Sequence, residues 1–595
     1  MANRDSKDRM RLRPHRSILL SHLLVLLGYL ALTCLFTYPL LLEFSHRLIG
    51  QGDLIDFWQS YWDLWWVKTA LLDLKTNPFY TSYLFHPWGV SLYFHTLNIL
   101  NGLLTVPLQL LFGPIVAYNS LVVVAFILGG YGTFLLASKH MKKSAAFVAG
   151  MIFTFSPFHL WHAHARTNLV ALQWLPLYIL FLLGALERRS IRSALLASLS
   201  LLLTSLTDWH YLLYLFLFTA LAVAYYLWKE GPGQAIKGRL MLVALIVTFF
   251  LLLDSPILIP MVREARSHDY MFRPFAHTVS YSADLFSFLI PSGTHFLWGE
   301  KAKAWRAAFP GGWNENFIGY TVLFLAALSL IALPRKRSGL WLISTLSFFI
   351  LALGPLLHLN GQKVSAILLP YALLYRFLPF LAISRYPARM SVMVLLSLSI
   401  MAGQGLSWVM DKVSAFVTSP RRVSIILAPI AGGLVVLEFL TIPFPTTELP
   451  YFPPYYQILA AAPRDQGVLD VPIDQEGGLR PALYLFFQTV HQRPIFSGYV
   501  ARPPYYPLDQ IPAFQRYMVF ADASQMKAPG SPGEDLETFR QFGFRYIILH
   551  KDLLPPDEER GAKILQALQA DFGDTPPIYE DQRVAIYEVE GTSPP

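Results

Sequence analysis

The chain has 595 residues, 54% hydrophobic and only 14% charged. Soluble domains carry about 25% charged residues, so much of this chain is not built to face water. The formal charge is +9, but the basic residues sit in short clusters between apolar runs, which is the charge pattern of a polytopic membrane protein and argues against a nucleic-acid partner.

In chain order, Arg4, Lys7, Arg9, Arg11, Arg13 and Arg16 make residues 1–16 a basic N-terminus, read as cytoplasmic. An uncharged run from Ser17 to Leu42 follows. It is too long for a signal-peptide core and long enough to cross about 30 Å of hydrocarbon, so it is expected to be a retained first helix. Cys34, the single cysteine, lies inside it. One cysteine excludes a disulfide framework and a Cys metal site, and reads as a small hydrophobe.

Residues 43–114 form a mixed segment, read as the first outer loop. Further apolar runs lie at about 115–137, 145–160, 169–186, 193–208, 210–228, 240–260, 318–333, 340–357, 388–410 and 423–443, giving eleven expected spans in a membrane domain over 17–445. The loops 139–143, 187–192, 229–239, 335–337 and 411–422 each hold three Lys or Arg, so the alternation satisfies the positive-inside rule. The stretch His95–Phe112 is also apolar. Counting it as a span would put Lys139, Lys142 and Lys143 outside, so it is read as interfacial or re-entrant. Asn98, Asn101, Pro107 and Gln109 within it suit partial burial.

An odd number of spans places the C-terminus outside. From Pro443 prolines cluster and polar residues return. Short β-like runs at Gly467–Ile473, Arg545–Leu549 and Val584–Val589, with a helix-like stretch Glu558–Phe572, suggest a small α/β extracytoplasmic domain over 446–595. The expected fold is mainly α: a polytopic membrane domain with that appended domain, in the cell membrane.

Four expected outer pieces gather polar side chains. In the first loop, Asp53 and Asp56 share a face if a helix starts early. A carboxylate half-buried at a membrane edge can serve as a general base; the plainer reading makes Asp53 a helix cap and leaves Asp56 and Asp63 solvated. The second piece holds His159, His162, His164 and Asn168. His162 and His164 at i, i+2 do not share a helical face and no ligating acid follows, so contacts to a ligand are favoured over metal binding. The third is Asp208, Trp209 and His210 in a tight turn, read either as a helix cap or as facing a ligand. The fourth is Arg376 with the segment Ser384–Arg389. Arg385 and Arg389 suit a phosphate or diphosphate, or else lipid headgroups. The long polar loop Met261–Asn316 lies between the third and the fourth.

The layout resembles the GT-C superfamily of membrane glycosyltransferases, which includes the oligosaccharyltransferases and the protein and lipid-A mannosyl- and aminoarabinosyl-transferases. The stretches that carry the resemblance are Gly52–Trp66, Asn77–Ala117 (with Tyr83-Leu-Phe-His-Pro-Trp-Gly-Val), Ser384–Met390 and His491–Arg502. It implies that Asp53 or Asp56 is the acid-base group or helps to hold a divalent metal. Oligosaccharyltransferase members add an acidic motif in the second outer loop. Here His162, His164 and Asn168 stand there, so a metal-independent mechanism is favoured and no cofactor is assigned.

The resemblance implies a polyprenyl-phosphate-linked sugar as donor and an unidentified glycan, lipid or protein acceptor, beside the membrane lipids themselves. Arg385 or Arg389 would stabilise the leaving phosphate, an Asp would deprotonate the acceptor hydroxyl, and Trp58, Trp62 and Trp209 would stack on the sugar. A flippase or transporter of lipid-linked sugars is the first competing reading, but it calls for ionisable residues deep within spans. The ionisable residues here lie almost all at helix ends, and Asp254, near the outer end of a span, is the main exception. A polysaccharide polymerase or ligase, and a non-catalytic envelope protein, are the others.

Overall fold

A computed structural model of the chain describes residues 2–589 except 232, 310–314, 333, 334, 379, 418, 475–477, 504–506, 520–531 and 557. The side chains of 2–17 and 332–337, which carry the basic N-terminus and one basic loop of the charge argument, lie outside the described residues. Among the described residues, eight helices are long and apolar enough to cross a membrane: Ile18–Phe36, Ile99–Ala137, Lys143–His162, Thr167–Arg188, Trp209–Glu230, Ile236–Ser267, Pro387–Ser414 and Pro420–Phe439. The chain is a multi-pass membrane protein. Three shorter apolar helices, Ile191–Ser205, Tyr320–Ile331 and Ser338–Ala352, fall on the remaining apolar runs.

Several boundaries differ from the reading. The first helix stops at Phe36 rather than near residue 42, because Pro39 has no N–H to continue it; a short helix, Leu40–Glu43, resumes afterwards. Residues 99–112 are helical and run on into the next span, broken only at Gly113 with φ 84° and ψ 168°. A residue with a side chain would resist that conformation. The unbroken length would be nearly 60 Å at 1.5 Å per residue, about twice a hydrocarbon core. The helix Gln234–Ser267 extends into the stretch read as loop from Met261, despite its prolines.

The contacts divide the chain into two compact units. The first holds residues 1–49, 115–259 and 272–446. Its centre is the helix Ser391–Ser414, buried along most of its length and packed against Lys143–Thr154, Tyr320–Ala332 and Arg335–Ala352. Gly405 lets it approach closely: a Cβ there would collide with the carbonyl oxygen of Leu325. Small residues permit such helix contacts in a membrane, where no hydrophobic force separates protein from lipid. Glu438 accepts from the backbone N–H of Thr321 at 2.9 Å and from its hydroxyl at 2.7 Å, a carboxylate at a helix N-terminus.

The second unit holds residues 50–114, 260–271 and 447–595. Four strands, in the order Gly467–Val471, Phe544–His550, Val584–Glu588, Tyr579–Glu580, form its sheet. The first pair is parallel and the others antiparallel. The helix Glu558–Phe572 stands where its apolar spacing places it. A second helix, Leu479–His491, packs against the helix Ile55–Lys68 of the first loop.

Candidate functional site

In the first unit the polar residues centre on Asp208, which is 4% exposed. It is the N-cap of the helix Trp209–Glu230: Oδ1 accepts from the backbone N–H of His210 at 2.8 Å and of Tyr211 at 3.2 Å. The cap is not its whole role. Oδ2 accepts from Asn168 Nδ2 at 2.7 Å. His210 Nδ1 lies 3.2 Å from Oδ1, and His210 Nε2 lies 3.1 Å from the carbonyl of Ser384. Burial would raise the Asp208 carboxyl, but the charge and hydrogen bond of His210, with Arg389 and Asn168, outweigh it and hold it below the usual carboxylate range. Asp208 is therefore an ionised carboxylate in a buried position.

Arg385 and Arg389 stand beside this group on a shelf of phenol rings. Arg389 lies over Tyr386 at 3.8 Å, and Arg385 lies 5.0 Å from Tyr386 and 5.6 Å from Tyr281. Arg385 Nη2 donates to the Tyr386 hydroxyl at 3.0 Å. The Nε of each arginine is buried and finds no hydrogen-bond partner among the described residues. A buried donor left unmatched costs about 1–3 kcal/mol, so an anion that accepted from both would repair a local deficit. Arg385 also has φ 45°, a left-handed conformation rare outside glycine. Tyr386 and then burial push the Tyr281 phenol up, so it stays neutral.

The histidines do not form a cationic cradle. His162 is buried, packs edge-on to Phe158, and lies within electrostatic reach of Arg166 and Arg389; its Nδ1 has no hydrogen-bond partner among the described residues. The His164 ring packs on Phe444 and Trp161, and burial, then Arg166, lowers it to about 3. It is neutral near pH 7. Trp209 opens its helix half-buried. Asp254, read as lying near the outer end of a span, accepts from the Ser205 hydroxyl at 2.9 Å.

In the second unit the helix of the first loop begins at Ile55, with Leu54 at the N-cap and no side-chain cap bond. Asp53 is thus neither its cap nor on a shared face with Asp56; it is exposed in the preceding turn. Asp56, half-buried, accepts from Tyr499 at 3.2 Å. Asp56, Gln59 and Asp63, at i, i+3 and i+7, lie along one helical face.

Asp63 is 2% exposed and 3.0 Å from His95 Nε2, while the N–H of Ala501 donates to His95 Nδ1 at 3.0 Å. A backbone N–H can only donate, so the His95 proton sits on Nε2 and points at Asp63. Burial raises the Asp63 carboxyl, and His95 and Gln59 oppose that shift. The reading of Asp63 as solvated is wrong, and spacing from Asp56 was the signal that could have found it. Trp58 and Trp62 are buried too, with indole N–H groups bonded to Gly52 O and Gln488 Oε1. They pack the unit and are not free to stack on a sugar. No group of three His, Cys, Asp or Glu suited to a metal occurs among the described residues.

No family model matches the sequence, and no curated protein matches it. Solved structures do. The arabinofuranosyltransferase AftD from Mycobacteria superposes with a TM-score of 0.55 at 16% identity over 95% of this chain. The chain carries the GT-C fold. It spans 40% of the AftD chain. Two other GT-C proteins are more distant. ArnT from Cupriavidus metallidurans has a TM-score of 0.46 at 14% identity, covering 97% of this chain and 98% of its own. The oligosaccharyltransferase AglB from Archaeoglobus fulgidus has a TM-score of 0.42 at 11% identity, covering 91% and 70%.

Proposed function

We propose that this GT-C chain transfers a sugar from a polyprenyl-phosphate donor to an acceptor hydroxyl at the outer face of the cytoplasmic membrane. The observation that carries the reading is the arginine pair: two guanidiniums on a phenol shelf, each with a buried Nε lacking a hydrogen-bond partner among the described residues. Planar forked donors match phosphate oxygens. Charge that develops on a departing phosphate is stabilised most by donors already in place and sheltered from water.

Asp208 stays ionised beside the pair and holds Asn168 and His210 in fixed orientations, so it is a positioning residue for this group. Removal of the acceptor proton is assigned to a first-loop acid, Asp56 or Asp53. Asp56 is the better held of the two, through Tyr499. No metal is invoked.

The test is sugar transfer from a lipid-linked donor by the purified full chain. Arg389→Ala is expected to lower transfer at least a hundredfold while the protein still unfolds cooperatively. Unchanged transfer in Arg389→Ala and Arg385→Ala would overturn the reading. The proposed sidedness is tested separately. Lys139→Cys in a Cys34→Ser background should resist a membrane-impermeant maleimide added from outside intact cells, and labelling there would break the topology.

A further inference from the structure

The first unit contains a second polar feature that the transfer reading does not use. A cavity of about 400 Å³ lies between the ends of several helices. Tyr225, Tyr226 and Lys229 line it from the last turns of Trp209–Glu230, the helix that Asp208 caps at its start. Gln404, Ser407 and Trp408 line it from the far part of Ser391–Ser414, the helix that follows Arg389. Twenty residues separate Trp209 from Lys229, a rise of about 30 Å, which is one hydrocarbon thickness. The cavity therefore opens at the membrane surface opposite the Asp208 group.

Its lining carries two lysines and two acids, and one of the acids, Asp411, is neutralised by Lys142 from outside the lining. Lys139 and Lys229 line it, and neither is ion-paired with an acid among the described residues. Lys229 Nζ instead stands 5.8 Å over the Tyr225 ring and 6.0 Å over Tyr226. Asp411 pairs with Lys142 at 2.6 Å, and Glu187 keeps its charge while it accepts from the Tyr226 hydroxyl at 3.0 Å, so the two lysines outnumber the one uncompensated acid.

Deeper in the cavity, Gln404 is 4% exposed and its Oε1 is buried without a hydrogen-bond partner among the described residues. An amide oxygen in that state lacks a donor that a ligand would bring. The indole of Trp341, 3% exposed, supplies an apolar wall.

We propose that this cavity binds a phosphate ester, presented as the headgroup of a bilayer phospholipid. Lys139 and Lys229 take the phosphate, and a headgroup hydroxyl or amine donates to Gln404 Oε1. The volume lies in the range of small-molecule sites, and a cavity at the bilayer surface meets lipid phosphates at high local concentration. The site would tie a lipid of one leaflet to the helices that carry the arginine pair toward the other.

The test uses the full chain, purified in detergent, delipidated and examined by native mass spectrometry. The probes are dioctanoyl phosphatidylglycerol, glycerol 3-phosphate and inorganic phosphate. A saturable one-to-one lipid adduct is expected. The double variant Lys139→Glu, Lys229→Glu should weaken it at least tenfold, and Gln404→Leu several-fold. Both lysines are exposed, so the double variant should keep the wild-type unfolding temperature and can be compared directly. Absence of a one-to-one adduct, or equal affinity in the lysine variant, would overturn the site. Equal binding of glycerol 3-phosphate and the lipid would overturn the lipid source and reassign the site to a soluble phosphate ester.

Discussion

Asn168 donates its side-chain amide to Asp208 at 2.7 Å, joining the short helix Thr167–Val170 to a helix cap forty residues on in the chain. That bond decides which Asp208 oxygen is free for what. Oδ1 is committed to the helix cap, so Oδ2 is left to Asn168 at 2.7 Å and, at 3.4 Å, to the ring of His210. Asn168→Ala should leave a buried charged oxygen short of a donor and destabilise the protein by about 1–3 kcal/mol. Asp208→Ala loses the cap as well, itself worth about 0.5–2 kcal/mol. Thermal unfolding of the solubilised chain measures both, and Asp208→Ala should be the worse.

The same carboxylate gives a pH dependence of known sign. The folded state holds the Asp208 carboxyl below its ordinary value of 3.8 and so favours the ionised form. Its contribution to stability is complete above that ordinary value and is lost as pH falls through the lower folded value. An unfolding temperature followed from about pH 5 to about pH 3 should therefore fall more steeply in the wild type than in Asp208→Asn. Parallel curves would show that Asp208 does not carry the acid sensitivity.

The first-loop acids are separated by a comparison of amides. An acid-base group contributes about 10²–10⁴-fold in rate. Asp56→Asn is expected to lose transfer within that range, because Asp56 is oriented by Tyr499. Asp53→Asn should lose less, since Asp53 is exposed in a turn. Full activity in both variants would remove the first-loop base from the mechanism.

Arg385 offers a test in which stability and activity move apart. Its φ of 45° is strained for any residue with a Cβ, by about 1–2 kcal/mol for a left-handed conformation. Arg385→Gly relieves the strain and removes the guanidinium. The expected outcome is an unfolding temperature equal to or above wild type with transfer reduced at least tenfold. A fall in both would mean that the side chain serves the fold.

Much of the membrane domain was legible because lipid imposes strict terms. Apolar runs must be long, and basic clusters must alternate, so Lys139, Arg188 and Lys229 mark helix ends without any tertiary knowledge. Asp208 was legible as a cap because capping is local. The partners were not: nothing in the spacing ties Asn168 to Asp208, or His95 to Asp63, since both pairs are set by packing. Trp58 and Trp62 look like exposed interfacial aromatics in the sequence. They are buried because Leu479–His491, more than four hundred residues later, lies against them. The hairpin Leu356–Leu359 with Gln362–Leu368 turns on Asn360-Gly361, both at positive φ. That dipeptide is a strong local signal, but the apolar run that overlaps the first strand reads as a membrane span.

The two glycines of the central helix should respond differently to the same substitution. An added Cβ at Gly403 would meet the Sδ of Met141 at 2.5 Å, in a flexible side chain, and the Cβ of Ala149 at 3.0 Å. At Gly405 it would meet the Leu325 carbonyl oxygen, which belongs to the backbone of Tyr320–Ala332. Met141 can move, Ala149 must give by only a few tenths of an ångström, and alanine gains about 1 kcal/mol over glycine in helix propensity, so Gly403→Ala should cost clearly less than Gly405→Ala. Gly405→Ala must instead push two helices apart, an overpacking cost of typically 1–3 kcal/mol. Because Arg389 directly precedes this helix, Gly405→Ala should also lower transfer, whereas Gly403→Ala should not. Equal unfolding temperatures for the two variants would show that the close approach at Gly405 does not hold the helices in register.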